Sequence, residues 1–340
     1  MKKSKIKSKD IKYCVLGIIF SAAFLLLALR GINFAELGRV LLYAKWSFII
    51  PFFLLIGGFF WIKAVRWSLL LEPVVKIPGK YLVASMMMGV ALNYIFFAYI
   101  GEVARAFFLA KQTRLSKSSI LGTILLERLF DVIVLLGFLV IGLFLSTQEV
   151  PQLGSIGIAF AVTAAVLLGL IVFCVYNPKS ALAVVKKLTS PFSLQTSNYI
   201  VKRFEMGFKG FQSISSPRLL GGTAAASLAM WLIMGFCNYL AILAVGIQVP
   251  YYVTFLIMAL IALGVTLPNS PGHIGVIELC YVIVLKAYGV SSTDAFAAGL
   301  IFHVVLYTSV ILFGVSIIRY LGMTVHELKD KAEAFGERAG

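Results

Sequence analysis

Long apolar runs separated by short, Lys/Arg-rich stretches set the pattern of this chain. Tyr13 to Leu29, Trp46 to Ile62, Tyr81 to Gly101 and Ile156 to Tyr176 contain no Asp, Glu, Lys or Arg. Neither do the 59 residues from Leu219 to Ile277, nor Ala295 to Ile318. A helix crosses the hydrocarbon core with about 20 apolar residues, and several runs meet that length. Composition agrees: 61% of the 340 residues are hydrophobic and 13% charged, whereas soluble domains run near a quarter charged. The expectation is an all-α integral membrane protein.

The net charge is +16. In a soluble protein that would raise nucleic acid as a partner. Here the basic residues flank apolar runs, so topology accounts for them and no nucleic-acid partner is expected. Cys14, Cys174, Cys237 and Cys280 lie in or beside apolar runs without CxxC spacing, which suggests neither a disulfide framework nor a metal site. No small-residue cleavage site follows the first run, so it is read as a retained span.

Lys and Arg favour the cytoplasmic side of a membrane. Met1 to Lys12 holds six of them, Lys63 to Lys80 four, Glu102 to Lys117 four and Asn177 to Arg218 seven. Tyr81 to Gly101 therefore lies between two cytoplasmic flanks. A single crossing cannot connect them, but a re-entrant hairpin running in to about Phe97 and out along Gly101 to Ala110 can. Tyr251 to Leu285 is broken at Leu267 to Gly275 and reads either as a second hairpin, from outside, or as two crossings. The fold expected is one transmembrane domain over residues 1–340: six full spans plus two broken or re-entrant helical hairpins, with an inverted repeat as an open alternative. Residues 1–12 form a cytoplasmic basic N-terminus, 177–218 a cytoplasmic amphipathic connector and 319–340 a cytoplasmic C-terminal tail. Of the 30 Lys and Arg, Arg128 alone then falls within a span.

Three constellations carry candidate chemistry. The first is Asn93, Gly101, Glu102 and Arg105. Glu102 and Arg105 are three apart and share a helix face; the plainer alternative is the polar end of a helix. The second is Glu127, Arg128 and Asp131, inside a span. Glu127 and Asp131 share a face, and Arg128 and Asp131 are spaced to neutralise each other. Lipid does not tolerate three such charges, so they must face inward. A structural ion network and headgroup or proton handling both fit. The third is Pro271, Gly272, Gly275 and Glu278. A helix is expected to start near Ile274, with free amides that could take a phosphate; a packing kink is the alternative. His303 is expected to be a packed, hydrogen-bonded residue. No Walker A or HExxH pattern is present, so ATP-driven transport by this chain alone is not expected.

Gly101-Glu102-x-x-Arg105, then Glu127-Arg128-x-x-Asp131, then Pro271-Gly-x-x-Gly275-x-x-Glu278 resemble, in this order and spacing, the flippase-like membrane region of lysylphosphatidylglycerol synthases. The resemblance covers about Ile11 to Leu321. It departs at His273, where that family usually has Gly. It implies a lipid-handling membrane domain that translocates a polar-headgroup lipid or lipid-linked substrate. The partners implied are anionic or aminoacylated phospholipid, or a polyprenyl-phosphate-linked sugar. A soluble synthase or glycosyltransferase working beside the domain is a further implied partner, and a homo-oligomer is left open. In the synthases a separate soluble domain performs aminoacyl transfer. With the sequence ending at Gly340, the expectation is the stand-alone form without that domain, neither an enzyme nor in need of a cofactor. The alternative is a membrane subunit of lipid aminoacylation or glycosylation.

Overall fold

The computed structural model describes residues 8–95, 100–113, 115–146, 176–190, 216–266 and 270–320, with isolated positions between 162 and 205. They are helical throughout, with no strand among them. In chain order the helices are α1 (Ser8–Ala28), α2 (Phe34–Tyr43), α3 (Ile49–Leu71, preceded by a 3₁₀ turn at Trp46–Phe48), α4 (Gly79–Ile95), α5 (Ile100–Thr113) and α6 (Lys117–Leu145). Then come α7 (Pro178–Leu188), α8 (Pro217–Ala244), α9 (Val253–Gly264), a 3₁₀ turn at Pro271–His273, α10 (Val276–Ala287) and α11 (Ser292–Tyr320).

Four segments among the described residues are long and apolar enough to cross a membrane: Trp46–Leu71, Lys117–Leu145, Pro217–Ala244 and Ser292–Ile317. Their ends follow local chemistry. Ser116 Oγ accepts the Ser119 amide at 3.1 Å and caps α6. Pro217 occupies the first turn of α8, where a missing N–H costs nothing. Their outward faces carry exposed Ile50, Leu54, Trp61, Val140 and Phe144. So much apolar surface on a water-soluble protein would be a liability; in a bilayer it is the expected finish. Inward, Phe52, Ile56, Trp67, Leu126, Cys237, Leu256 and Tyr281 belong to one buried core.

The expected span Trp46 to Ile62 is corrected. α3 continues through Lys63 and Arg66 to Leu71, because Ala64, Val65 and Trp67 to Leu71 extend a helix-compatible apolar pattern. Lys63 and Arg66 are therefore not loop residues. The expected span Ile156 to Tyr176 lies almost wholly outside the described residues, as does much of the 177–218 connector; its described helix, α7, is largely exposed.

Two pairs of shorter helices sit among the long ones. α4 and α5 run antiparallel: Ser85 Oγ donates to the Arg105 carbonyl at 2.7 Å, and Gly89 meets Gly101 backbone to backbone. A Cβ on Gly101 would collide with the Gly89 carbonyl oxygen. Small residues permit this approach, as in helix pairs packed within membranes. α9 and α10 have 12 residues each, or roughly 18 Å of helix, against about 30 Å of hydrocarbon. Between them the backbone is left-handed at Gly272 (φ 75°), His273 (φ 61°) and Gly275 (φ 86°). α1 covers this break. Gly275 packs on the backbone of Ser21 and Leu25, and the Ser270 amide donates to Ser21 Oγ at 2.7 Å. The two pairs meet: the Tyr94 ring at the end of α4 lies 6.1 Å from His273 and 5.5 Å from Tyr307 of α11.

Candidate functional site

α3, α5 and α6 bring three arginines and three carboxylates into one chain of ion pairs. Arg66 of α3 bridges two carboxylates of α6, with Nη2 2.8 Å from Glu127 Oε1 and Nη1 2.5 Å from Asp131 Oδ1. Glu127 and Asp131 are one turn apart, so a single guanidinium reaches both. Arg105 of α5 lies 2.8 Å from the other oxygen of Glu127, and its Nε is 2.7 Å from Glu102 Oε2. These two Arg105 contacts are close but off the hydrogen-bonding axis, so they act as charge contacts. Glu102 then pairs with Arg128.

Aromatic and hydroxyl groups complete the shell. Trp231 Nε1 donates to Asp131 at 2.9 Å, and Arg66 donates to Ser227 Oγ at 3.1 Å, both on α8. Arg105 lies over the Trp67 ring at 4.9 Å, and Trp67 Nε1 donates to Thr123 Oγ1 at 3.1 Å. Side-chain exposure rises along the ion pairs, from 0% at Arg66 to 18% at Glu102 and 48% at Arg128. The cluster is sealed at one end and open at the other. Lys63, one turn before Arg66, is half-buried within electrostatic reach of Glu127, Arg128, Asp131 and Arg105.

Of the expected site residues, Glu102, Arg105, Glu127, Arg128 and Asp131 come together here. The pairing of Glu102 with Arg105 is as the spacing predicts. The predicted neutralisation of Asp131 by Arg128 is corrected. Arg128 points to the exposed side of α6 and meets Glu102, while Asp131 faces α3 and is neutralised by Arg66. Arg66 itself lies among the residues read as a cytoplasmic flank. One signal could have exposed it: Glu127 and Asp131 both face inward, and Arg128, adjacent to Glu127, cannot serve that same face. Asn93 stands apart from the charges. Its Oδ1 accepts the Gly101 amide at 2.8 Å, joining the end of α4 to the first turn of α5.

Pro271, Gly272, Gly275 and Glu278 form a second site. Pro271 opens the 3₁₀ turn, and Gly272 packs on the Tyr307 ring. The helix starts at Val276 rather than Ile274. The expectation of free amides there is corrected at Gly275, whose N–H donates to Glu278 Oε2 at 2.8 Å. The other oxygen, Oε1, shares a 2.6 Å hydrogen bond with His303 Nδ1. The helix start thus binds its own carboxylate, because Glu278 sits at the third helical position, where its side chain curls back. His303 is the packed, hydrogen-bonded residue expected. A separate apolar cleft of about 540 Å³ lies between α3, α4 and the end of α11, lined by Trp61, Val65, Leu82 and Ile317 with Lys80 at its edge.

Residues 14–314 match the family described as the lysylphosphatidylglycerol synthase TM region. The chain belongs to this family. Among curated proteins it is similar to a UPF0104 membrane protein of Methanocaldococcus jannaschii, 26% identical over 226 residues, covering 66% of this chain and 91% of that one. Two UPF0104 membrane proteins of Methanothermobacter thermautotrophicus are also similar. One is 24% identical over 81% of this chain and 84% of its own length; the other is 23% identical over 96% and 100%. No solved structure matches. The matched region takes in both the ion cluster and the Glu278–His303 site, so a lipid-related membrane role is compatible with membership.

Proposed function

We propose that this chain translocates a polar-headgroup lipid or lipid-linked substrate across the cytoplasmic membrane. In this reading both termini are cytoplasmic, α4–α5 enters from the cytoplasmic face and α9–α10 from the other. The observation that carries the reading is the meeting of the two pairs of shorter helices at Tyr94, His273 and Tyr307, each pair bearing buried ionisable groups. Broken helices at membrane depth are tolerated where they are packed in protein or line a wet cavity. Transporters of several folds place their substrate between two such breaks. Buried ionisable groups in a membrane mark pathways for polar cargo. The headgroup would pass beside the ion cluster while the acyl tails stay in lipid.

Reconstitution tests this. The chain is placed in liposomes carrying fluorescent lipids with several headgroups, and leaflet exchange is followed by quenching. Exchange faster than in protein-free liposomes is expected for at least one headgroup. Equal rates with and without protein for every headgroup overturn the reading. Lipid analysis of a deletion strain separates it from a membrane subunit of a lipid-modifying enzyme: a mislocalised lipid supports translocation, and a missing one supports the subunit.

A further inference from the structure

We infer that the open end of the ion cluster is a binding site for the phosphate of an anionic lipid, with Lys63 and Arg128 as the groups that receive it. This rests on the lipid-translocation reading and narrows its substrate class. The first ground is the state of the carboxylates. All six oxygens of Glu102, Glu127 and Asp131 face a guanidinium: Glu102 meets Arg128 and Arg105, Glu127 meets Arg66 and Arg105, and both Asp131 oxygens meet Arg66. In the second site both oxygens of Glu278 are also engaged, by His303 and the Gly275 amide. An ammonium headgroup entering either site would find its counter-ions already taken. Displacing Arg66 or Arg105 to free one would leave a buried arginine unpaired, which is strongly unfavourable.

The second ground is the charge balance. The cluster holds four cationic side chains, Lys63, Arg66, Arg105 and Arg128, against three carboxylates, Glu102, Glu127 and Asp131. That leaves one positive charge over. The unmatched cation is Lys63. No carboxylate among the described residues lies within ion-pair distance of its ammonium, which sits over the Phe59 ring, 5.9 Å from the centroid. Unspent donors also remain. Arg128 at the open end is half exposed, with Glu102 its one ion-pair partner among the described residues. An excess of donors and one excess positive charge beside an open edge match a monoanionic phosphodiester. They do not match a lysylated lipid, whose two ammonium groups outweigh its phosphate.

The test uses the full chain in phosphatidylcholine nanodiscs and liposomes. Trp67 and Trp231 sit in the cluster, so intrinsic fluorescence reads binding independently of transport. Titration with phosphatidylglycerol is expected to change the signal at lower mole fraction than lysyl-phosphatidylglycerol does. Lys63→Gln is expected to weaken that response and the exchange of labelled phosphatidylglycerol by roughly tenfold or more, the size of one hydrogen bond to a charged group. Lys63→Arg should restore both, which separates loss of charge from misfolding. Equal or tighter binding of the lysyl lipid overturns the inference, as does indifference to Lys63→Gln. A response to inorganic phosphate with none to phosphatidylglycerol assigns the site to a soluble anion and overturns it as well. Selective binding of phosphatidylglycerol without leaflet exchange upholds the site while removing translocation.

Discussion

Without its guanidinium, Arg66 would leave Glu127 and Asp131 buried against α3 with one partner fewer each. Breaking a buried pair by removing one side costs about 3–5 kcal/mol. Arg66→Gln is therefore expected to lower stability by about that much in detergent, followed by thermal unfolding. Arg128→Gln should cost less than about 1 kcal/mol, since the arginine is half exposed and Glu102 keeps Arg105. Equal losses for the two variants would refute the sealed-to-open gradient of the cluster. At His273 the left-handed backbone (φ 61°) is one that a side chain adopts at a cost of roughly 1–2 kcal/mol. His273→Gly should raise the unfolding temperature by relieving that strain. A fall instead would mean that the edge contact with Tyr94 outweighs the strain.

The helix pairs depend on backbone contact rather than on large side chains. A methyl on Gly101 has no room beside the Gly89 carbonyl, so Gly101→Ala must push α4 and α5 apart. It is expected to cost about 1–3 kcal/mol, the range for overpacking, read from thermal unfolding in detergent. Gly137→Ala on α6, with nothing within 4 Å of the added carbon, is the matched control. It should be neutral or stabilising by up to about 1 kcal/mol, the helix-propensity gain. A similar loss at both positions would remove the special status of the Gly89–Gly101 crossing. These elements also mark what the sequence could and could not reveal. The apolar run Ala295 to Ile318 located α11 to within a few residues, and the run from Leu219 located the start of α8, since length alone identifies a span. Glu102 with Arg105, and Glu127 with Asp131, were legible because a helix fixes neighbours three and four apart. Arg66 was not: its partners lie 61 and 65 positions away, and a rule that assigns Lys and Arg to loops counted it as one of them. The start of α10 was legible as a break, but the capture of the Gly275 amide by Glu278 depended on which helical position the carboxylate occupied.

Topology is the property of the whole molecule on which the reading turns, and labelling can decide it. Lys80 at the start of α4, Lys111 near the end of α5, Gln248 before α9 and Ser291 before α11 are all exposed. The measurement needs a background in which Cys14, Cys174, Cys237 and Cys280 are replaced, with single cysteines then introduced and probed by a membrane-impermeant maleimide from each side. A hairpin at α4–α5 requires Lys80→Cys and Lys111→Cys to react from the same, cytoplasmic side. One on each side would make that segment a full crossing and invert everything after it. Gln248→Cys and Ser291→Cys should react from outside whether α9–α10 is re-entrant or crosses twice, so Ser270→Cys between the two helices is the deciding position. Its amide is held by Ser21 of α1 and its Oγ is buried. In a hairpin whose tip rests on α1 and α4 it should react slowly from either side. Two full crossings would instead carry it into the cytoplasm, where it would react as fast as Lys111→Cys. Slow labelling there, with the Lys80 and Lys111 positions sharing a side, would place the two breaks back to back within the bilayer. In the translocation proposed above, that arrangement is the one that would let a headgroup received at Lys63 and Arg128 continue toward Glu278 and His303.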